Sequence, residues 1–320
     1  MKIQYTIDDS AARLPLSIRS AEGVWDREAD LRNAPGVHLV ELTTQHMQNT
    51  GATLTDELTG YFNNGHPSEA DPYALADCFA NREQLEDLLR DLRHVEAEIV
   101  ALNEVEALFP VMFMHEMTVM LALTTVGYPA FGYVRTYRDS EGESYHGMVV
   151  NLAQARPHLE ERLGQFSFSL LTDVIRCGFF NHQGFLLAYD VYCQATKRAP
   201  DGLVAQLKDA ALRRGIAWFL SYRHNLAFYD ETLGFDADRV GNYVQRWNDL
   251  VELARDATLD DESFEDWLRS VDQCEPTGML CVDALGLFVA RTLFDAHGNK
   301  GLRDAITEGP DHFITSYNAL

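Results

Sequence analysis

The chain has 320 residues, of which 46% are hydrophobic, and it carries a formal net charge of −23. This length can bury a sizeable core, either in one large domain or in two smaller ones. The negative charge disfavours nucleic acid and anionic membranes as partners, because both are repelled by an acidic surface. The sequence also lacks a run approaching the roughly 18 to 20 apolar residues of a membrane span, and its start lacks a signal-peptide core. We therefore expect a cytoplasmic protein.

The first 110 residues are predicted to be mostly helical after one short strand. The strand covers residues 2 to 7, where apolar and polar side chains alternate. Breakers follow at residues 33 to 36 and 63 to 67. Asn81 is a suitable N-cap for a long helix running to Ile99, with leucines on one face and charges on the other.

After residue 110 the pattern of apolar residues changes from helical spacing to short continuous runs. Residues 117 to 126 and 147 to 152 are β-compatible apolar runs, with a loop at residues 139 to 143 between them. Helical spacing returns over residues 165 to 197, 203 to 228, 237 to 256, 261 to 271, 279 to 297 and 300 to 306. We predict a helix-dominated α+β protein with a small central sheet, divided into regions 1–110 and 111–320 or folded as one continuous domain.

Five cysteines are scattered along the chain, without a Cys-x-x-Cys pair. Such spacing predicts neither a structural zinc site nor a disulfide framework. We expect reduced thiols.

Three segments carry a resemblance to a known group of enzymes. They are residues 173 to 180, residues 212 to 220 with Arg214-Gly215-Ile216-Ala217, and a tail with Gly309-Pro310, Phe313 and Tyr317. In order and pattern they resemble the gluzincin-type, predicted zinc-dependent peptidase families. In those families one helix bears His-Glu-x-x-His, and a second helix bears the third ligand in a Glu-Gly-x-Ala context. The resemblance implies a zincin-like fold for residues 111–320.

The motif itself is degenerate in this chain. On the implied alignment Arg176, Cys177 and Phe180 replace the His, Glu and His, and Arg214 replaces the distal Glu. A guanidinium stays protonated and has no lone pair for a metal, so these positions cannot form the zinc site. We predict a scaffold that has no metal and no cofactor.

The replaced positions are the candidate catalytic residues, Arg176, Cys177 and Arg214. An arginine on an otherwise apolar helix must find a partner or line a wet cavity, and its planar fork suits an anionic group. Two structural alternatives remain open. In the first, Asp173 neutralises Arg176, and a different acidic residue neutralises Arg214. In the second, Cys177 is an inert helix cysteine.

Further residues near these positions are candidates for substrate binding. They are the polar or aromatic side chains Asp173, Phe180, His182, Tyr222 and His224. Tyr222 and His224 are predicted to face the same cleft, whereas His182 lies off the helix face shared by Arg176 and Phe180. A core or helix-capping role is the alternative for His182, and a helix-end position is the alternative for Tyr222 and His224. The two helices that carry these residues are expected to pack side by side and to bring Arg176 near Arg214.

These observations favour a repurposed, metal-free enzyme of the kind found in specialised metabolism, acting on a small, anionic and partly aromatic molecule. One alternative is a non-catalytic pseudopeptidase that binds a peptide or protein partner. A second alternative is a metallopeptidase with unrecognised ligands among the 11 histidines. The sequence does not predict an oligomeric state.

Overall fold

The computed structural model describes residues 1–95, 103–138, 144–223, 240–257, 263–272 and 279–317. Strands β1 to β4 are Lys2–Asp8, Glu116–Thr124, Gly132–Arg138 and Ser144–Asn151. Helices α1 to α8 are Ser10–Ser17, Ala21–Asp26, Glu28–Asn33, Pro35–Gln48, Leu54–Asn64, Leu75–Ala80, Arg82–His94 and Asn103–Glu106. Helices α9 to α17 are Ala155–Leu163, Phe168–Asp173, His182–Ala195, Leu203–Tyr222, Val240–Asp256, Phe264–Val271, Cys281–His297, Asn299–Glu308 and Pro310–Tyr317. The predicted helix-dominated α+β class is confirmed.

The chain forms two compact units. We name Ile3–Ala101 together with Glu116–Ile175 the sheet unit, and Met1–Lys2, Leu102–His115 and Arg176–Leu320 the helical unit. These units are defined by contacts within each of them. The division at residue 110 is based on a change in the residue pattern along the sequence, and it stays a prediction.

The sheet unit is built on four strands in the order β1-β2-β4-β3. Strand β2 runs parallel to β4, and β4 runs antiparallel to β3. Helices α1 and α4 pack on β2, whose Val119, Leu121 and Leu123 side chains are buried. Strand β3 was not predicted, because it lies at the sheet edge and its Gly-Tyr-Val-Arg-Thr-Tyr-Arg sequence lacks an apolar run.

The predicted start of the long N-terminal helix is correct, because Asn81 occupies the N-cap position of helix α7. Its side chain makes no capping hydrogen bond and donates to the Asp77 carbonyl oxygen instead. The helix ends at His94, earlier than the predicted Ile99, which lies outside the described residues.

The helical unit contains the two helices that the sequence places around the candidate site. The run predicted over residues 165 to 197 is helical from Phe168 to Ala195, with a π-helical segment at Val174–Asn181 between α10 and α11. Helix α12 covers the described part of the run predicted over residues 203 to 228. Helices α11 and α12 pack against each other, as predicted.

Helices α12 and α15 cross at two glycines. A Cβ atom built on Gly286 would lie 2.2 Å from the Ala211 carbonyl oxygen and 2.9 Å from the Gly215 Cα. Only a residue without a Cβ allows the two backbones to approach this closely. This crossing fixes α15 against the face of α12 and thereby sets the position of Asp283, in the first turn of α15.

Candidate functional site

The π-helical segment carries Arg176, Cys177 and Phe180, the residues that the predicted alignment places at the peptidase motif. Arg176 is half-buried, Cys177 is 6% exposed and Phe180 is fully buried. Helical segments with i→i+5 hydrogen bonds are rare and are frequently found at functional sites. The Cys177 thiol is buried to about the same extent as the His182 imidazole, which is 9% exposed, and its role as a nucleophile or an inert cysteine stays a prediction.

His182 follows this segment and begins helix α11, where it is buried against helix α12. Its Nδ1 lies 3.2 Å from the Ser221 Oγ, and its ring meets the Trp218 ring edge-to-face with centroids 4.5 Å apart. Burial lowers the pKa of His182 to about 4, with the positive charges of Arg214 and Arg213 acting in the same direction. The imidazole is therefore neutral at pH 7.

The hydrogen bonds of Ser221 indicate which imidazole nitrogen carries the proton. The Ser221 hydroxyl donates to the Ala217 carbonyl oxygen at 3.1 Å, and a hydroxyl has one proton to give. The bond to the ring therefore runs from the His182 Nδ1–H to the Ser221 Oγ. In this tautomer Nε2 has the lone pair and can accept a proton or a hydrogen bond.

Arg214 lies one helical turn before Trp218 and is bound by two carboxylates. Its Nη1 donates to Asp283 Oδ1 at 3.4 Å, and its Nη2 donates to a Glu265 carboxylate oxygen. The Arg214 side chain is 17% exposed and that of Asp283 is 11% exposed. These contacts favour the salt-bridge interpretation of Arg214 over direct recognition of an anionic ligand.

Asp283 has a second partner on helix α12, since the Trp218 Nε1–H donates to its Oδ2 at 3.3 Å. Burial raises the pKa of the Asp283 carboxyl above its usual range, although Arg214 and Trp218 act against this shift. Trp218 thus contacts an imidazole whose pKa is lowered and a carboxyl whose pKa is raised. We refer to His182, Arg214, Trp218, Ser221 and Asp283 as the His182 cluster.

A second set of polar contacts surrounds Asn181, the last residue of the π-helical segment. Its Nδ2 donates to Glu104 Oε2 at 3.4 Å, and the Arg223 Nη2 pairs with Glu104 Oε1 at 2.9 Å. The Asn181 Oδ1 is buried and has no hydrogen-bond partner in the described part of the chain. A buried acceptor of this kind is costly unless a ligand or water serves it.

The structure brings together three of the predicted site residues. His182 and Arg214 both belong to the His182 cluster, and Tyr222 stacks on Trp218 with ring centroids 5.4 Å apart and planes 8° apart. Asp173 ends helix α10 in the sheet unit, and the predicted His224 lies outside the described residues.

Sequence reasoning missed Trp218, Ser221 and Asp283. The i, i+4, i+8 spacing of Arg214, Trp218 and Tyr222 places all three on one face of α12, and this signal was available. Asp283 is the one acidic residue in the apolar sequence Cys-Val-Asp-Ala-Leu-Gly-Leu-Phe-Val-Ala, a second available signal.

Within the described residues, three or more His, Cys, Asp or Glu side chains nowhere converge in a way that could hold a metal ion. In the same ranges, none of the helices has the length and apolarity needed to span a bilayer. Comparisons with protein-family models, curated proteins and solved structures give no match.

Proposed function

We propose that this chain is a metal-independent enzyme that uses the His182 cluster for acid–base chemistry on a small molecule. The observation that carries the proposal is the pair of titratable groups that contact Trp218, a neutral imidazole and a buried carboxyl. Environments that shift two proton affinities in opposite directions are typical of assigned acids and bases in active sites.

In this proposal His182 is the proton acceptor and Asp283 is the proton donor. The Nε2 of His182 gains a proton from the substrate, while Nδ1–H stays bonded to Ser221. When it carries a proton, Asp283 supplies that proton at a second substrate atom, and both groups return to their starting states before the next turnover. Positioned acids and bases typically accelerate such steps by about 10²–10⁴-fold.

Arg214 is a positioning residue in this proposal, because two carboxylates already occupy its guanidinium. The half-buried Trp218 indole, with Tyr222 stacked on it, supports a substrate that is partly aromatic. The partly aromatic part of the substrate class predicted from the sequence is retained on these grounds, and its anionic group stays a prediction.

The test uses the full chain incubated with a library of small aromatic acids, with substrate loss and product formation followed by mass spectrometry. We expect His182→Asn and Asp283→Asn each to lower kcat at least about 100-fold, the lower end expected for a lost acid or base. The matched controls are His297→Asn and Asp295→Asn, at the other end of helix α15. Both side chains are exposed, so these variants should turn over as the wild type does.

Two results would count against this proposal. Full turnover by His182→Asn would show that the imidazole is not the proton acceptor. Loss of turnover on treatment with a chelator, with recovery on adding zinc, would instead favour the metallopeptidase alternative.

The partner-binding alternative has its own candidate surface, the apolar residues Val111, Met112 and Met114, which are at least 76% exposed.

A further inference from the structure

An open surface pocket of about 500 Å³, which we call the cavity, lies in the helical unit at the C-terminal end of helix α11. Its walls include Tyr189, Asp190, Cys193, Lys197 and Asp209. None of these residues belongs to the His182 cluster. The volume lies within the range of about 300–1,000 Å³ that is usual for small-molecule sites.

One side of this cavity carries two carboxyl groups that are only partly engaged. The Tyr189 hydroxyl donates to Asp209 Oδ1 at 2.7 Å, and the Arg213 Nη2 donates to Asp190 Oδ2 at 2.7 Å. The second oxygen of each carboxyl remains available to a donor on a ligand. Tyr189 and Arg213 hold both groups in place, so an arriving ammonium would meet fixed acceptors.

Two cations, Lys197 and Arg198, also line the cavity, and they differ in what they already bind. Arg198 donates to the Ile306 and Thr307 carbonyl oxygens, both at 2.7 Å, and thereby caps the C-terminus of helix α16. Lys197 forms no ion pair with any residue in the described ranges. Its backbone has a φ of 54°, a left-handed conformation that turns the chain directly after helix α11. The Lys197 ammonium is therefore the cation available to a ligand.

From this arrangement we infer that the cavity binds a small zwitterion of the amino-acid type. The ligand ammonium bonds to Asp190 and Asp209, and the ligand carboxylate pairs with Lys197. A molecule with only one charge would pair either with the two carboxyl groups or with Lys197, and it would leave the group of opposite sign without a partner. The site is separate from the proposed catalytic cluster, so either assignment can fail without the other.

Cys193 provides a built-in probe for occupancy, because its half-buried thiol lines the same cavity. The full chain is treated with N-ethylmaleimide, and modification of the Cys193 peptide is followed by mass spectrometry. The probes are the individual proteinogenic amino acids, with n-butylamine and butyrate as the single-charge controls. We expect at least one amino acid to slow Cys193 modification at least fivefold, while neither single-charge control slows it at the same concentration.

Three variants test the assignment of the charges. Asp209→Asn keeps an acceptor for Tyr189, and Lys197→Met removes the cation from a surface turn, so both chains should fold. Each should raise the concentration needed for half-protection at least tenfold, whereas the nearby exposed Asp201→Asn should leave it unchanged. The inference is overturned if no amino acid protects Cys193, or if protection is the same in both cavity variants and the wild type.

Discussion

Arg213 and Arg214 are adjacent in the sequence, yet their guanidinium groups bind carboxylates on different helices. Arg213 pairs with Asp190 on α11, while Arg214 pairs with Asp283 on α15 and Glu265 on α14. Neighbouring residues on a helix point about 100° apart, so one helix can serve two separate acidic sites. The Arg213–Asp190 pair borders the cavity lined by Asp190 and Cys193, and the Arg214 pairs belong to the His182 cluster.

His182 gives the molecule a specific pH dependence of stability. Its pKa is about 4 in the folded chain against 6.5 as the ordinary value. The unfolded chain therefore takes up a proton below pH 6.5 that the folded chain refuses until about pH 4. The stabilising contribution is complete above pH 6.5 and is lost as the pH falls through this window.

We expect the wild type to lose on the order of 2 to 3 kcal/mol of unfolding free energy through this group between pH 7.5 and pH 4.5. His182→Gln should remove that part of the pH dependence, because glutamine does not titrate. Urea unfolding at several pH values measures the difference, and His297→Gln at an exposed position serves as the control. An unchanged pH dependence in His182→Gln would show that the imidazole is not held neutral.

At the scale of elements, the crossing of α12 and α15 determines where Asp283 meets Arg214 and Trp218. The two backbones are in contact at Gly215 and Gly286, so the crossing cannot relax by turning a side chain. Protein interiors are close-packed, and an added methyl group at such a point forces the backbones apart.

Gly286→Ala should therefore lower the unfolding free energy by about 1–3 kcal/mol, as overpacking usually does. The matched control is Gly60→Ala, because a Cβ at Gly60 in helix α5 meets nothing within 4 Å. That change should be neutral or stabilising by up to about 1 kcal/mol, since alanine favours a helix over glycine. Thermal unfolding of both variants makes the comparison, and equal stability of the two would contradict the tight crossing.

For the whole molecule, the absence of zinc is a prediction that elemental analysis can check. The motif-equivalent positions hold Arg176, Cys177, Phe180 and Arg214, and an arginine offers no lone pair to a metal. Protein purified without chelators should contain only traces of zinc. A content of about one zinc per chain, as in an intact catalytic site, would overturn both the alignment and the metal-independent mechanism.

The sequence was sufficient for the class of fold and for most of the helices. Helix α12 is predicted from residue 203 onward because its apolar residues recur with helical spacing, a property of the local sequence. Strand β3 was missed because an edge strand with one exposed face needs no continuous apolar run. The π-helical register of residues 174 to 181 is likewise invisible to a pattern that assumes 3.6 residues per turn.

The sequence by itself determined the helix-dominated class and the pairing of α11 with α12. It also identified His182, Arg214 and Tyr222 as candidate site residues. Only the tertiary structure decided what these residues contact. Asp283 is 69 residues from Arg214 in the chain, and it reaches Arg214 because two glycines let α15 lie directly on α12. Periodicity records which face of a helix is buried, whereas the partner on the facing helix depends on a crossing point that no local pattern encodes.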